Sequence, residues 1–389
     1  MTSTETPKNE AAYLVSNKAA VLEVRSAPYT RPASNEITIR THAVAINPVD
    51  HMIQSQGTTL MFPWLTYPVL LGCDVAGIVV EVGSSTATRF SVGDRVIGQC
   101  LGSDKNVVKA GGNSAQNAQS GFQKYVVLQA HMASKIPDEM SFENATVLPL
   151  GVSTAACGLF QQDQLGLDLP TNTSKAEKGR KGQVLIWGGS TSVGSNAIQL
   201  ATAAGYDVIT TCSPRNFEYC KSLGASQCFD YKSKTVVRDI VAAFANKTCV
   251  GALSIGGGAA EACIGVLSKV KCAPGKKFVS MASYPMPETA PQSFVMLQTA
   301  VNFVSWQVKT FIRTKLSGIS WRFIFATTLA ENEVGPGIYR GFLPEALEKN
   351  TYKAKPDPLI VGSGLDKVQE AFEVLKKGVS VKKIVVLID

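Results

Sequence analysis

The stretch VLIWGGSTSVGSNAIQLATAAG, residues 184–205, decides the fold. Four large apolar residues run into a pair of glycines, and an amphipathic helical pattern follows. That order is strand, tight turn, helix. Its spacing, Gly189-x-Thr191-x-x-Gly194 with Gly188 in front, approximates the G-x-G-x-x-G turn of dinucleotide-binding βαβ units. The central glycine is replaced by Thr191, so the motif alone is weak. Its setting strengthens it: a helix N-terminus offers free N–H groups and the positive end of a dipole to a pyrophosphate. Working outward, the strands VLIWGG, DVITTCS, QCFDY, GALSIGG and KKFVSMA alternate with helical segments of 8–13 residues. That alternation predicts a parallel, doubly wound α/β sheet.

The following strand bears on which dinucleotide is bound. An NAD site wants an acid about 20 residues past the glycines, on the ribose 2′-hydroxyl. The window Ile209–Ser213 holds none, and the strand instead ends in Ser213-Pro214-Arg215-Asn216. A hydroxyl and a guanidinium suit a 2′-phosphate. The cofactor expected is therefore NADP(H).

Residues 11–150 read differently, as short strands separated by glycines, with a polar loop from Leu101 to Ser120. ENATVLPLGVSTAACGLFQQ then reads as one or two helices, with Ser153 or Thr154 as a natural N-cap. The segment Tyr284–Tyr339, with Trp306 and Trp321, reads as a substrate-pocket wall or a subunit contact, with ordinary core the equal alternative for any single aromatic. The chain closes with a helix, LDKVQEAFEVLKKG, and a strand, VSVKKIVVLID.

Composition narrows the class. The chain has 389 residues, 45% hydrophobic and 17% charged, which is globular and allows two or three domains. The net charge is +8, but its densest basic cluster is only Lys175, Lys178, Arg180 and Lys181, so a nucleic-acid role is not expected. The apolar stretch Phe294–Ile312 is interrupted by Gln298, Asn302, Gln307 and Lys309, too polar for a membrane span. Nine cysteines, none spaced C-x-x-C, argue for a reducing compartment. With the polar opening MTSTETPKNE, a cytoplasmic setting is expected.

Taken together, Ala45-Ile46-Asn47-Pro48-Val49-Asp50, Gly72-Cys73-Asp74-Val75-Ala76-Gly77, Val92-Gly93-Asp94-Arg95-Val96, Gly121-Phe122-Gln123, Leu148-Pro149-Leu150-Gly151 and the glycine turn resemble the medium-chain dehydrogenase/reductase superfamily. The likeness is to its zinc-independent quinone-oxidoreductase branch and, through Thr211-Cys212-Ser213-Pro214 and Phe229-Asp230-Tyr231, to fungal trans-acting enoyl reductases. The resemblance implies a GroES-like substrate domain, residues 1–152 and 341–389, and a Rossmann domain, 153–340, with the active site in the cleft. It places Gly189, Ser190, Thr191, Ser192, Val193 and Gly194 at the pyrophosphate. Ser213, Pro214, Arg215, Asn216 and Tyr231 fall at the 2′-phosphate end. Ile255 and Gly256 come near the nicotinamide ribose, and Asn47, Pro48, Val49, Asp50 and Ser380 complete the cofactor contacts.

Zinc enzymes of this superfamily carry a ligand cysteine where this chain has Asn47 and a ligand histidine where it has Cys73, so no metal is expected. Without a Lewis acid, the chemistry that fits is hydride addition to a carbon–carbon double bond conjugated to a carbonyl. Charge on the enolate is held by hydrogen-bond donors, and a proton follows. Thr154, Asp50 and His51 are the candidate catalytic groups; Met52 stands where many relatives carry lysine. The expected substrate is a small hydrophobic enone, quinone or polyketide, free or carrier-bound, acted on by a monomer or homodimer. The competing readings are a carbonyl or alcohol dehydrogenase and a catalytically idle NADPH-binding protein.

Overall fold

The computed structural model describes residues 6–58, 61–172, 181–283 and 295–389. Lys175, Lys178 and Arg180 lie outside them, as does the start of the Tyr284–Tyr339 segment. The chain divides into two compact units, residues 1–153 with 330–389, and residues 154–329.

The first unit is built on the strand Glu36–Ala45, which buries Ile37, Ile39, Val44 and Ala45. It pairs antiparallel with Asp74–Val82, with Tyr125–Gln129 and with the closing strand Lys382–Leu387. The registers matter for the site. Ala45 faces Asp74 on one side and Val385 on the other. Ile46 N–H continues the pairing to Ile384 O at 2.9 Å. Asn47, Asp74 and Lys383 are thereby brought to one point, although Lys383 is 336 positions from Asn47 in sequence.

The return to this unit falls at Ala330, earlier than the Gly341 boundary expected from sequence. The reason is packing. Tyr339 is fully buried, and its hydroxyl donates to Pro149 O at 2.9 Å and receives the Ser153 hydroxyl at 2.8 Å. Arg89 donates to Tyr339 O at 3.0 Å, and His131 lies 3.1 Å from Ala330 O. The polar stretch read as a loop is mostly the helix Lys105–Ala118, kinked at Gly112. Two glycines and three asparagines hide it from a propensity reading. It holds through an Asp104 cap, which accepts from Asn106 N at 2.8 Å, and through Gln116, which donates to Leu70 O at 2.8 Å.

The second unit is a six-stranded, all-parallel sheet. Its order is Gln227–Asp230, Asp207–Cys212, Gln183–Trp187, Cys249–Ser254, Phe278–Met281 and Ser320–Phe323. The last strand was not legible in the aromatic segment. Its Trp321 and Phe323 stack edge-on at 5.5 Å, and Trp306 meets Trp321 at 5.7 Å. These rings pack on the unit's core, the alternative held open for the single aromatics of this segment, rather than forming a substrate wall or subunit contact. Among the described residues, no helix is long and apolar enough to cross a membrane.

Candidate functional site

In the second unit, Gln183–Trp187 lies at the sheet's topological switch point. The chain steps from it to Asp207–Cys212 on one side, and Cys249–Ser254 pairs with it on the other. Ligands of open α/β sheets bind at the carboxyl ends of strands at such a point. The turn there is tightly determined. A Cβ on Gly189 would come within 2.1 Å of Thr210 Oγ1, and one on Gly194 within 2.2 Å of Gly188 O. Thr191, at the position of the missing glycine, is the N-cap of the helix Ser192–Ala203. Its hydroxyl accepts from Gly194 N at 3.0 Å and donates to Gly188 O at 2.8 Å. The threonine is thus folded into the turn and satisfies a helix donor. The N-terminus keeps a further polar group. Ser192 Oγ is buried and has no partner among the described residues, as expected of a hydroxyl that awaits a ligand oxygen.

The other sequence-predicted residues fall at neighbouring strand ends. Ser213 to Asn216 form the short turn after Asp207–Cys212, with Pro214 and Arg215 exposed and Asn216 buried. Tyr231 follows the adjacent strand and is exposed, with the Lys232 ammonium 5.7 Å from its ring centre. Lys232, beside Tyr231, is a cation that sequence reasoning did not single out. Asp230 is turned back, accepting from Lys232 N at 3.0 Å. The Ile255 carbonyl would be 2.7 Å from a Cβ on Gly188, and Gly256 to Gly258 border open space. An unpartnered serine at a helix N-terminus and an open glycine cradle fit the pyrophosphate of a dinucleotide.

In the first unit, the helix Pro48–Gln56 starts at Asn47 with proline in its first turn. Asp50 reaches back to accept from Asn47 N at 2.9 Å and from Gly72 N at 3.1 Å; Cys73 Sγ lies 3.8 Å away. The carboxyl is 1% exposed, and burial raises its pKa to about 7 against the pull of those two N–H donors. Beside it, the Asn47 amide donates to Asp74 Oδ2 at 2.9 Å and accepts from Lys383. Lys383 Nζ and Asp74 Oδ2 form an ion pair at 2.9 Å, and Leu150 N donates to the other Asp74 oxygen. Asp74 is fully buried and Lys383 is 5% exposed. Lys383 was missed from sequence. Its signal was a lone charge at an inward position of the strand KKIVVL.

This arrangement does not fit zinc. The Lys383 ammonium already occupies the point where Asn47 and Asp74 converge, and a second cation there would be repelled. Burial also pushes the Cys73 thiol well up, away from the thiolate a metal needs. Among the described residues, no group of three or more His, Cys, Asp or Glu side chains is placed to hold a metal.

Asn47 and Asp50 are buried with their polar atoms engaged inside this unit; Pro48 is exposed and Val49 half-buried. His51 turns away from the network. Its ring meets Phe372 edge-on at 6.1 Å, and burial lowers its pKa, with nearby Lys376 acting in the same direction. Ser380 is exposed ahead of the closing strand. Thr154 lies inside the helix Pro149–Phe160, which corrects its reading, and that of Ser153, as an N-cap. It is the one half-buried residue in an otherwise buried run from Gly151 to Gln161.

Residues 33–138 match the alcohol dehydrogenase GroES-like domain. The chain is 50% identical over 380 residues to a dehydrogenase of Monascus ruber, pigH, covering 98% of this chain and 99% of that protein. It is 35% identical to a trans-enoyl reductase of Aspergillus japonicus, himH, with 97% of each chain covered. Among solved structures, the CurK enoyl reductase superposes with a TM-score of 0.70 at 19% identity, covering 98% of this chain and all of that one. A mycobacterial protein solved in complex with NADPH superposes at 0.65 and 19% identity, covering 97% of this chain and 99% of that one. The chain belongs to the medium-chain dehydrogenase/reductase superfamily, in the branch of fungal dehydrogenases and trans-enoyl reductases, and is an oxidoreductase.

Proposed function

We propose that this protein is an NADPH-dependent, zinc-independent reductase of a carbon–carbon double bond conjugated to a carbonyl, acting in fungal secondary metabolism. The observation that carries the reading is the buried Lys383–Asp74–Asn47 set, a fixed cation where zinc relatives need ligands, in a chain with a glycine turn and helix N-terminus at the switch point of its parallel sheet. The names of the fungal trans-enoyl reductases at 31–35% identity support the substrate class.

The helix N-terminus, with Ser190 to Gly194 and the Ser192 hydroxyl, would hold the pyrophosphate. Ser213, Arg215 and Tyr231, joined by Lys232, would hold the 2′-phosphate, while Pro214 and Asn216 shape that turn. Ile255 and Gly256 would border the ribose. The bound cofactor supplies a hydride. Of the candidate catalytic groups, the Thr154 hydroxyl is the one left available to donate toward a substrate carbonyl oxygen. Asp50 is taken up in holding Asn47 and Gly72. His51, kept neutral by burial, is a weak acid at neutral pH and packs on Phe372. Both are assigned supporting roles, and Pro48, Val49 and Ser380 peripheral ones. The substrate is a small hydrophobic enone, quinone or polyketide, free or carrier-bound.

The test is NADPH oxidation with a panel of enones, quinones and aldehydes, with and without EDTA. Turnover of enones untouched by EDTA is expected. Aldehyde turnover abolished by EDTA would overturn the reading.

A further inference from the structure

The helix Val295–Ser317 turns threonines inward and valines outward. Thr310 and Thr314 are each 3% exposed, and Trp306 packs on the unit's core while donating to Glu261 Oε1 at 2.6 Å. Val301, Val304, Val308 and Phe311 face solvent instead, each between 53% and 57% exposed. Their spacing of three, four and three residues sets them on one line along the helix, and Lys315, four further on, continues it. Leu316, at the C-terminal end, is 84% exposed, more than any other large apolar residue described. Apolar side chains scattered singly over a surface need no explanation. Five on one helix form a contiguous patch, and such patches mark interaction surfaces.

Charge identifies what the patch meets. From residue 289 to residue 330 the sequence holds four basic residues and no acidic one. Arg313 and Lys315 are exposed, and the Lys315 ammonium lies 5.6 Å from the Phe311 ring centre, within the apolar line itself. A second copy of this chain would set a basic helix against itself, with no carboxylate on the helix to answer it. The face therefore calls for a partner that is both apolar and anionic. A single convex helix presents knobs rather than a groove for another protein's side chains to fill. Lipid headgroups, by contrast, bring anionic oxygens to the cations, and the acyl boundary beneath them takes up the valines. An apolar stripe bordered by Lys and Arg is the arrangement of a helix that lies in a membrane interface.

We propose that the outward face of the helix Val295–Ser317 docks this protein reversibly on an anionic lipid surface. Val301, Val304, Val308 and Phe311 enter the headgroup layer, and Arg313 and Lys315 meet lipid phosphates and carboxylates. The helix lies on the bilayer and does not cross it, being too polar to span. The chain's net charge of +8 acts in the same direction. The docking face is independent of the reductase reading, although a hydrophobic substrate of the class proposed above would gather in the same layer.

The full-length protein would be sedimented with vesicles of phosphatidylcholine, alone or with about 30% phosphatidylserine, at about 0.15 M salt. Binding to the anionic vesicles is expected, about tenfold or more stronger than to the neutral ones. It should be lost near about 1 M salt, where the screening length falls to roughly 3 Å. V308S/F311S should weaken binding by about tenfold or more, and R313Q/K315Q should remove the preference for anionic vesicles. These four side chains are exposed, so both variants should keep the wild-type Tm. Failure to sediment, or sedimentation untouched by V308S/F311S, would overturn the proposal. A V308S/F311S protein destabilised by several degrees would show the face already covered within the chain and would overturn it equally. So would two outcomes that give the face to a protein. One is a dimer mass by light scattering that V308S/F311S reduces to a monomer. The other is binding to an acidic carrier protein, but not to vesicles, that the same variant abolishes. None of these readouts requires turnover, so failure here leaves the reductase reading untouched.

Discussion

Replacing Lys383 with methionine removes the cation from a fully buried carboxylate while keeping most of the side-chain volume. In the native protein, Asp74 has three partners: Lys383 at 2.9 Å, the Asn47 amide at 2.9 Å and the Leu150 N–H. K383M leaves the two neutral donors and no counter-charge. Removing one partner of a buried ion pair costs about 3–5 kcal/mol, because the remaining charge stays desolvated. An exposed pair, such as Arg322 with Asp163, is worth about 0–1 kcal/mol. In a unit of this size the larger cost lowers Tm by roughly 6–20 °C. The assay is thermal and urea unfolding of the full chain at neutral pH, run for K383M, D74N and the double variant. The double variant should recover at least about 1 kcal/mol relative to additivity, since the amide introduced by D74N is neutral and still accepts from Leu150 N. A K383M protein within about 1 kcal/mol of wild type, or strict additivity in the cycle, would refute the buried-pair reasoning.

Asp50 makes stability depend on pH. Its folded pKa of about 7 is raised above the unfolded value near 4, so between those limits the folded state holds a proton that the unfolded state has released. Stability therefore falls as pH rises from about 4 to 7, by at most about 1.4 kcal/mol per pH unit, and D50N should flatten that slope in urea titrations. R215A should weaken NADPH binding by about 1–3 kcal/mol, the worth of a charged hydrogen bond, and leave NADH within about twofold; equal losses for both would count against a 2′-phosphate contact. T191V removes the helix cap and should cost about 1 kcal/mol, whereas T191G, which restores the glycine pattern, should cost only a few tenths. Urea midpoints of the two variants separate capping from close approach as the role of position 191.

The glycine turn was legible because its constraint is local. Gly189 and Gly194 are each required by an atom a few residues away or one strand over, and the apolar strand before them fixes where the turn must fall. What sequence missed depended on distant partners. The helix Lys105–Ala118 has weak propensity and is held through Gln116 to Leu70. The strand Ser320–Phe323 exists because Phe278–Met281 offers it a free edge. Thr191 looked like a defect in a glycine motif, and only the cap geometry shows it as a replacement with its own function.

The Lys383–Asp74 pair stands between these cases. Each residue alone looks like an irregularity, an aspartate opening DVAGIVVEV and the second, inward-facing lysine of KKIVVL. Buried charges are stable only when paired, so two lone opposite charges at inward-facing strand ends should be read as candidates for one another. The antiparallel registers to Glu36–Ala45 then bring them together at Asn47. That convergence also changes what Asn47 does. Resemblance alone assigned it to the cofactor, yet its amide is committed on both sides, to Asp74 and to Lys383. It fixes the start of the helix Pro48–Gln56 by bridging an acid and a base. Substituting Asn47 with a metal-binding cysteine would therefore not restore a zinc site, because the lysine ammonium would remain at its centre.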